Sequence, residues 1–269
     1  MVAPEIDLRF AAEEHVVAQV GSGVDLATVV RVLTYREQLL ESDTRAVIVE
    51  VIPSWCSLLI HFDSSKVSPR SFFSTMLGFF RGIAIDGPLR LKSRMVTLPV
   101  FYGGGFGPDL EFVARTNQVS LPEAIKRLSE GTHLVGMISF IPGQANCMWL
   151  EPDMVLTSPK YETPRTSTPE GTVGLGGSSI ALYSVPSPGG FQMVGRMPVP
   201  IYSAHPVLPE FEQSPILLRV GDRLRLRAID RAEYDDILQA VREGRYRFEI
   251  SGESELTVAP ETNGYAPRP

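Results

Sequence analysis

The chain has 269 residues, of which 43% are hydrophobic and 21% are charged, and its net charge at pH 7 is −6. This composition is typical of a soluble globular protein that folds as one large domain or two modest ones. The negative charge disfavours the phosphate backbone of a nucleic acid as a partner, and no apolar stretch approaches the roughly 18 residues that cross a membrane.

The N-terminal segment and the cysteines indicate in which compartment the protein is expected and which kinds of site it lacks. The first ten residues lack a basic region followed by an apolar stretch, so no secretory signal is expected. Two cysteines, Cys56 and Cys147, are too few and too far apart for a disulfide framework or a zinc site. We therefore expect a cytoplasmic protein with reduced thiols, without a metal site and without a nucleic-acid or membrane partner.

The first part of the chain alternates between predicted strands and helices. Apolar residues recur at helical spacing after Val24, and Ser68 followed by Pro69 is typical of a helix start. The order of elements favours an α+β sandwich with helices on one face of an antiparallel sheet. The predicted strands are 6–10, 15–20, 46–52 and 57–62, and the predicted helices are 24–41 and 70–81.

The second part is rich in Pro and Gly and is expected to be mostly β. Ser120 and Glu123 form a predicted capping box at the start of a helix. Many short strands with frequent turns indicate a closed barrel. The predicted strands are 96–102, 134–140, 173–175, 180–183, 192–196, 199–202, 217–218 and 223–228, and the helices are 109–116, 120–129 and 230–243. The predicted domains are 1–92 and 93–250, followed by a disordered tail at 251–269.

Five loop motifs follow one another in the second part of the chain. They lie at 98–110, 140–143, 164–174, 187–196 and 218–224. The first contains Gly103 to Gly107, a glycine-rich run that lacks the spacing and the trailing Lys-Ser/Thr of a phosphate-binding loop, which favours a tight turn. Together with residues 51–60, these motifs resemble the family of the B-type 5-oxoprolinase subunit, also called allophanate hydrolase subunit 1 or the sporulation-kinase inhibitor family. The chain is also similar to half of the carboxyltransferase domain of urea carboxylase.

The resemblance carries expectations about fold, partner and chemistry. It implies a ferredoxin-like α+β N-terminal domain followed by a mostly β cyclophilin-like barrel. It also implies a partner with a related barrel, the C-type 5-oxoprolinase subunit, also called allophanate hydrolase subunit 2. The expected activity is ATP-dependent hydrolysis of a small amide or lactam such as 5-oxoproline, with ATP as a cofactor shared with that partner.

The sequence departs from the family pattern at two places. Two aromatic residues of the family are replaced at Gln144 and Asn146, and an amide and a hydroxyl are replaced by Ser179 and Ile180. Loss of groups that bind a polar substrate changes discrimination by several kcal/mol. Two alternatives stay open: the substrate differs from 5-oxoproline, or catalysis is lost.

Three residues are predicted to be catalytic, each with a structural alternative. Arg165 can bind a carboxylate or phosphate, or form a salt bridge that anchors its loop. Tyr102 ends a strand beside three glycines, where it can orient a substrate or pack as an aromatic residue. His133 precedes a barrel strand and has a side chain suited to acid–base work, although it can equally be structural.

A second group of residues is predicted to bind the substrate. Arg196 has the same two alternatives as Arg165. Gly189 and Gly190 are expected to adopt positive φ in a hairpin, and they can also bring backbone N–H groups to a ligand. Gly143 and Ser179 complete the predicted set, because Gly143 ends the second motif and Ser179 stands where the family has an amide.

Two other functions stay open at this level. A regulatory protein that inhibits a histidine kinase would bind its target stoichiometrically and show no turnover. A prolyl isomerase is suggested only by the cyclophilin-like barrel, and a fold by itself does not imply a function.

Overall fold

A computed structural model describes residues 6–83 and 87–259 of the chain. The chain divides into two compact units. Of the described residues, one unit combines those up to Lys92 with Glu255 to Ala259, and the other runs from Ser93 to Ser254. Among the described residues, no helix has the length and apolar character required to cross a membrane.

The first unit contains a four-stranded antiparallel sheet and two helices. Its elements in chain order are β1 (Asp7–Ala12), β2 (His15–Gln19), α1 (Leu26–Glu41), β3 (Ile48–Pro53), β4 (Ser57–Phe62), α2 (Pro69–Gly82) and β5 (Leu89–Ser93). The sheet order is β1-β2-β4-β3. The predicted helix start at Ser68 is confirmed, because its hydroxyl accepts a hydrogen bond from the backbone N–H of Ser71.

One face of this sheet packs against both helices. Leu58, Ile60 and Phe62 alternate along β4 and are fully buried, and the Phe62 ring stacks on Phe72 of α2 with 4.3 Å between ring centroids. This agrees with the α+β sandwich. A ferredoxin-like unit has the chain order βαββαβ. Here the chain order is ββαββαβ: the outer strand β1 forms a hairpin with β2, and β5 is not part of the four-stranded sheet. The observed sheet therefore differs from that of a ferredoxin-like unit.

The second unit is built around a closed barrel. Its elements are β6 (Met95–Tyr102), α3 (Leu110–Thr116), α4 (Leu121–Glu130), β7 (Thr132–Ile138), β8 (Ala145–Trp149), β9 (Arg165–Thr168), β10 (Thr172–Gly176), β11 (Ser179–Leu182), β12 (Ser187–Gly189), β13 (Gln192–Arg196), β14 (Arg223–Ala228), α5 (Arg231–Arg242) and β15 (Glu249–Ile250). Seven strands close in the order β6-β13-β10-β11-β8-β7-β14, and β14 returns to pair with β6 in parallel. The predicted barrel is confirmed and fits a cyclophilin-like fold.

Alternation along the barrel strands decides which side chains enter the core. Val96, Leu98 and Val100 of β6 are fully buried in one apolar cluster. The capping box is confirmed, since the Ser120 hydroxyl accepts from the N–H of Glu123. Two predicted strands, 199–202 and 217–218, are wrong, because this stretch makes only an isolated bridge between Tyr202 and Ile216.

The tail predicted at 251–269 needs a correction. Residues Ser254–Val258 form a further strand, β16, which pairs with β5. An ion pair of 3.1 Å between the side chains of Arg90 and Glu255 accompanies this pairing. The tail was predicted from its composition, which carries no information about a partner strand more than 150 residues away. Residues 260–269 lie outside the described residues.

Candidate functional site

The first motif forms a tight loop, residues 103–109, which we call the glycine loop. The backbone N–H groups of Gly103 and Asp109 donate to the carbonyl oxygens of Val194 and Met193, each at 3.0 Å. These two bonds hold the loop along β13. The sequence interpretation of a tight turn is confirmed, and the turn includes a short 3-10 helix.

The glycine loop does not fit the triphosphate of ATP. A phosphate cradle directs its backbone N–H groups toward the anion. Here the N–H groups of Phe106 and Gly107 both donate to the carbonyl oxygen of Gly103, at 3.2 and 2.8 Å. We therefore assign no ATP contact and no ATP-dependent step to this loop.

Asp109 joins three of the sequence motifs. Its Oδ2 accepts a hydrogen bond from Nη2 of Arg165 at 2.8 Å and another from the backbone N–H of Met193 at 2.7 Å. The guanidinium of Arg165 also lies over the ring of Tyr161, 4.0 Å from its centroid, and donates to the Tyr161 hydroxyl. Glycine loop, Arg165 segment and β13 thus meet at one carboxylate.

Arg165 is therefore anchored by an ion pair, as its structural alternative requires. Its side chain nevertheless keeps 27% of its surface exposed, compared with 15% for Asp109. A fixed guanidinium with an open edge can still donate to a ligand, and it loses little entropy in doing so. Arg165 can therefore anchor its loop through the ion pair and still bind a ligand through its exposed edge.

Asp109 and Tyr161 were not among the predicted site residues. Burial, followed by the nearby Asp109 carboxylate, raises the pKa of Tyr161 to about 12. The Tyr161 hydroxyl therefore stays protonated at neutral pH and remains a hydrogen-bond donor. Asp109 lies within one of the five loop motifs and could have been selected, whereas nothing in the sequence around Tyr161 signals its position.

Gly189 and Gly190 lie beside Arg165 and Tyr161, but their backbone does not adopt the predicted positive φ. Neither is among the glycines with positive φ, so that expectation is wrong. Gly189 is opposite Arg165 in the β9–β12 pair, where a Cβ atom would lie 2.4 Å from the hydroxyl of Tyr183. Gly189 is thus required for space. Gly190 accepts the backbone N–H of Tyr161 at 2.7 Å through its carbonyl.

Arg196 lies at the end of β13 and has a different environment from Arg165. Its guanidinium stacks over the ring of Phe106 of the glycine loop, 5.0 Å from the centroid. Its Nε is buried without a hydrogen-bond partner, and within the described ranges no carboxylate forms an ion pair with it. Across the strands, Thr172 faces Arg196 and its buried hydroxyl also has no partner.

Tyr102 does not reach the surface. Its ring is part of the barrel core, and its hydroxyl donates to the carbonyl oxygen of Leu226 at 2.9 Å. Burial raises the pKa of Tyr102 well above its ordinary value. The structural alternative for Tyr102 therefore holds, because neither the hydroxyl nor its proton is accessible to a ligand.

His133 is also enclosed. It is fully buried on β7, its ring packs edge-on against Trp149 with 4.5 Å between centroids, and its Nε2 is 3.2 Å from the carbonyl oxygen of Leu128. Burial lowers the pKa of His133 to about 4. A neutral histidine without a path to solvent is a poor general base, so the structural alternative is favoured.

The buried His133 makes stability depend on pH. An unfolded histidine has a pKa of about 6.5, so between that pH and about 4 only the unfolded chain binds the proton. Stability is therefore lost as the pH falls through this range. We expect the free energy of unfolding to fall by about 2 kcal/mol more in the unmodified chain than in His133→Gln between pH 8 and pH 5. Urea titrations measure this difference, and parallel curves for the two chains would contradict it. His205→Gln in an exposed loop is the control.

Gly143 and Ser179 are placed in other turns of the barrel unit. Gly143 has φ of +74°, and a Cβ atom there would lie 2.9 Å from the Cβ of Tyr202, so conformation and space both require glycine. Ser179 begins β11 opposite Gly176. No hydrogen bond among the described residues joins either of them to the group around Asp109.

Neither a metal site nor a cavity coincides with the predicted site residues. Within 6–83 and 87–259, no three His, Cys, Asp or Glu side chains are grouped as metal ligands. A shallow cavity of about 540 Å³ lies on the first unit, where Asp7, Arg9 and Gln19 contribute to its lining. None of the predicted site residues lines that cavity.

Comparison with known proteins places the chain in a family. Residues 6–210 match the family model described as carboxyltransferase domain, subdomain C and D. The chain is 32% identical to the B-type 5-oxoprolinase subunit of Bacillus subtilis, over 69% of this chain and 78% of that protein. It is 35% identical to the B-type 5-oxoprolinase subunit of Escherichia coli O157:H7, over 51% of this chain and 59% of that protein.

Solved structures support the fold. A crystal structure of the K. lactis urea amidolyase superimposes with a TM-score of 0.82 at 22% identity, covering 95% of this chain and 16% of that much longer one. At this identity the likeness concerns the fold alone. The match of the family model over most of the chain, together with the identity to the B-type 5-oxoprolinase subunit, shows that the chain belongs to the family of the carboxyltransferase domain, subdomains C and D.

Proposed function

We propose that this chain is one component of an ATP-dependent enzyme that hydrolyses a small amide or lactam, and that a protein like the C-type 5-oxoprolinase subunit is its partner. The names of its relatives, a 5-oxoprolinase subunit and urea amidolyase, support an amidohydrolase. ATP would bind elsewhere in the complex, because the N–H groups of Phe106 and Gly107 bind the carbonyl oxygen of Gly103 and those of Gly103 and Asp109 bind β13. A ferredoxin-like first unit remains part of this proposal.

The observation that carries the proposal is the meeting of three motifs at Asp109. It holds together a guanidinium, a protonated phenol and the glycine loop, and Arg165 keeps an exposed edge. Hydrolysis of an amide places negative charge on the carbonyl oxygen, and fixed donors stabilise that charge because they need no reorganisation during the reaction. Arg165 and Tyr161 are suited to supply such donors, and Asp109 positions them.

Turnover by the reconstituted pair tests this proposal. The chain is co-expressed with a protein of the C type, the complex is purified by size-exclusion chromatography, and ADP release is measured with 5-oxoproline and a panel of small amides. We expect release to depend on both the amide and the partner. A stable complex without amide-dependent ADP release would contradict an enzyme and favour the regulatory alternative.

Two arginine variants on the same complex test the site. Arg165→Gln removes the charge beside Asp109, and we expect kcat/KM to fall by about 10²-fold. Arg115→Gln is the matched control, since Arg115 is exposed on α3 and makes only a weak ion pair of 3.9 Å with Glu111. Equal activities of the two variants would exclude Arg165 from the site.

A further inference from the structure

One edge of the four-stranded sheet in the first unit is open. β1 is the outer strand and pairs with β2, and no backbone hydrogen bond within residues 6–83 and 87–259 joins its other side. Its register with β2 is regular from Asp7 to Phe10 and shifts only between Phe10 and Ala12. An open strand edge presents a row of N–H and C=O groups that can pair with a strand of another chain.

The opposite edge of the same sheet is protected. The pairing of β3 with β4 is interrupted by a register shift between Ile48 and Glu50, and β3 ends at Pro53, which has no N–H group to donate. Irregular pairing, prolines and charged side chains are the features by which natural sheets prevent association through their edges. β1 contains no proline, so of the two edges it is the one suited to a partner strand.

The charged residues of β1 are complementary to a second copy of β1. Asp7 and Arg9 are two positions apart and so lie on one face of the sheet, where Nε of Arg9 donates to Oδ2 of Asp7 at 2.8 Å. Two copies that pair antiparallel about a two-fold axis at Leu8 bring residue 7 of each chain opposite residue 9 of the other. Each Asp7 then faces an Arg9 of the other copy, and two ion pairs join the chains.

The other face of β1 supplies apolar surface at the same edge. Phe10 keeps 50% of its surface exposed, although its ring stacks on Phe73 of α2 with 4.8 Å between ring centroids. Ile6 and Leu8 pack only partly against the core of this unit. In the same two-fold pairing, Phe10 of each chain is opposite Ile6 of the other. The pairing thus buries apolar side chains on the face that the helices cover and joins opposite charges on the other face.

We propose that residues 6–10 at the outer edge of β1, which we call the β1 edge, bind the β1 edge of a second copy of the chain. The sheets of the two copies then form one continuous antiparallel sheet, with both β1 strands at its centre. The dimer depends neither on turnover nor on a second kind of subunit. Its failure and the failure of the proposed function are therefore observed in separate experiments.

Sedimentation velocity of the full chain at a series of concentrations tests for the dimer. The β1 edge is short, and small interfaces are weak, so we expect a dissociation constant in the micromolar range. Asp7→Arg makes like charges face each other at both pairs, and we expect the dissociation constant to rise at least about tenfold. Arg9→Asp is expected to have the same effect. An unmodified chain that sediments as a monomer throughout the micromolar range overturns the proposal.

A charge exchange separates complementarity from folding. Asp7→Arg together with Arg9→Asp restores opposite charges across the two-fold axis, and this double variant is expected to recover most of the affinity that each single variant loses. Glu50→Arg, exposed on the protected edge of the same sheet, is the matched control and should dimerise like the unmodified chain. A double variant as weak as the single ones, or an equal effect of Glu50→Arg, overturns the assignment to the β1 edge.

Disulfide cross-linking tests the register. Cys56→Ser leaves the fully buried Cys147 as the only native thiol. In this background Leu8→Cys places a thiol opposite its own copy, with about 4.5–5.5 Å between the Cβ atoms, and oxidised glutathione should produce a covalent dimer. Phe10→Cys is the control, because its two copies lie four positions apart, or about 14 Å. Equal cross-linking of the two variants contradicts the two-fold axis at Leu8.

Discussion

Gly107→Ala is expected to destabilise the barrel unit by about 3 kcal/mol or more, since a methyl group there has no space. Its Cβ would lie 2.0 Å from the carbonyl oxygen of Val194 and 2.7 Å from the backbone nitrogen of Gly103. Both are backbone atoms, so neither can rotate away. Relief requires separation of the glycine loop from β13, which breaks the contacts of Asp109 and displaces Phe106 from Arg196.

Urea unfolding of two alanine variants measures this effect. Fluorescence of Trp149 reports on the barrel unit when Trp55, the other tryptophan, is replaced by phenylalanine. Gly105→Ala is the matched control within the same loop, because its Cβ would meet nothing within 4 Å and its φ is not positive. Equal unfolding midpoints for the two variants would show that the loop does not pack against β13.

Asp109→Ala is expected to lower the free energy of unfolding by about 3 kcal/mol and to abolish activity of the complex. The substitution leaves the half-buried guanidinium of Arg165 without its counter-charge and the N–H of Met193 without its acceptor. Removal of one partner from a buried pair costs more than the pair contributes, because an unpaired charge remains. The partial exposure of Arg165 reduces the loss in free energy of unfolding, whereas the loss of the hydrogen bond from the Met193 N–H increases it.

A double-mutant cycle separates the two contributions. Arg165→Met in the Asp109→Ala background removes the unpaired charge and should recover part of the stability, whereas the Met193 bond stays lost. Glu111→Ala is the control, as the Glu111–Arg115 pair is exposed and is expected to contribute almost nothing. Additive effects of the Asp109 and Arg165 substitutions would argue against their ion pair.

One departure from the family pattern, the one at Ile180, has a structural explanation. Cys147 and Ile180 are cross-strand partners on β8 and β11, and both are fully buried in the barrel core. Burial raises the pKa of the Cys147 thiol, which makes it unreactive. Ile180, where the family has a polar residue, therefore packs in the core rather than facing a substrate. Gln144 is nearly buried and its Oε1 has no partner.

Local chemistry in the sequence determined much of the fold. The helix starts at Ser68 and Ser120 could be predicted because a capping side chain acts within three residues of its own position. Strand periodicity and turn frequency indicated a closed barrel, because both are also local features of the sequence. The strand at 145–149 was missed, since its side chains are buried on both faces and show no alternation.

Only the tertiary structure separated the candidate residues by their environments. Arg165 and Arg196 have the same chemistry in the sequence, yet Asp109 neutralises the first and no described carboxylate neutralises the second. Tyr102 and His133 became core residues when the barrel closed around them. Burial and ion pairing depend on contacts between residues far apart in the chain, and a local pattern of residues carries no information about those contacts.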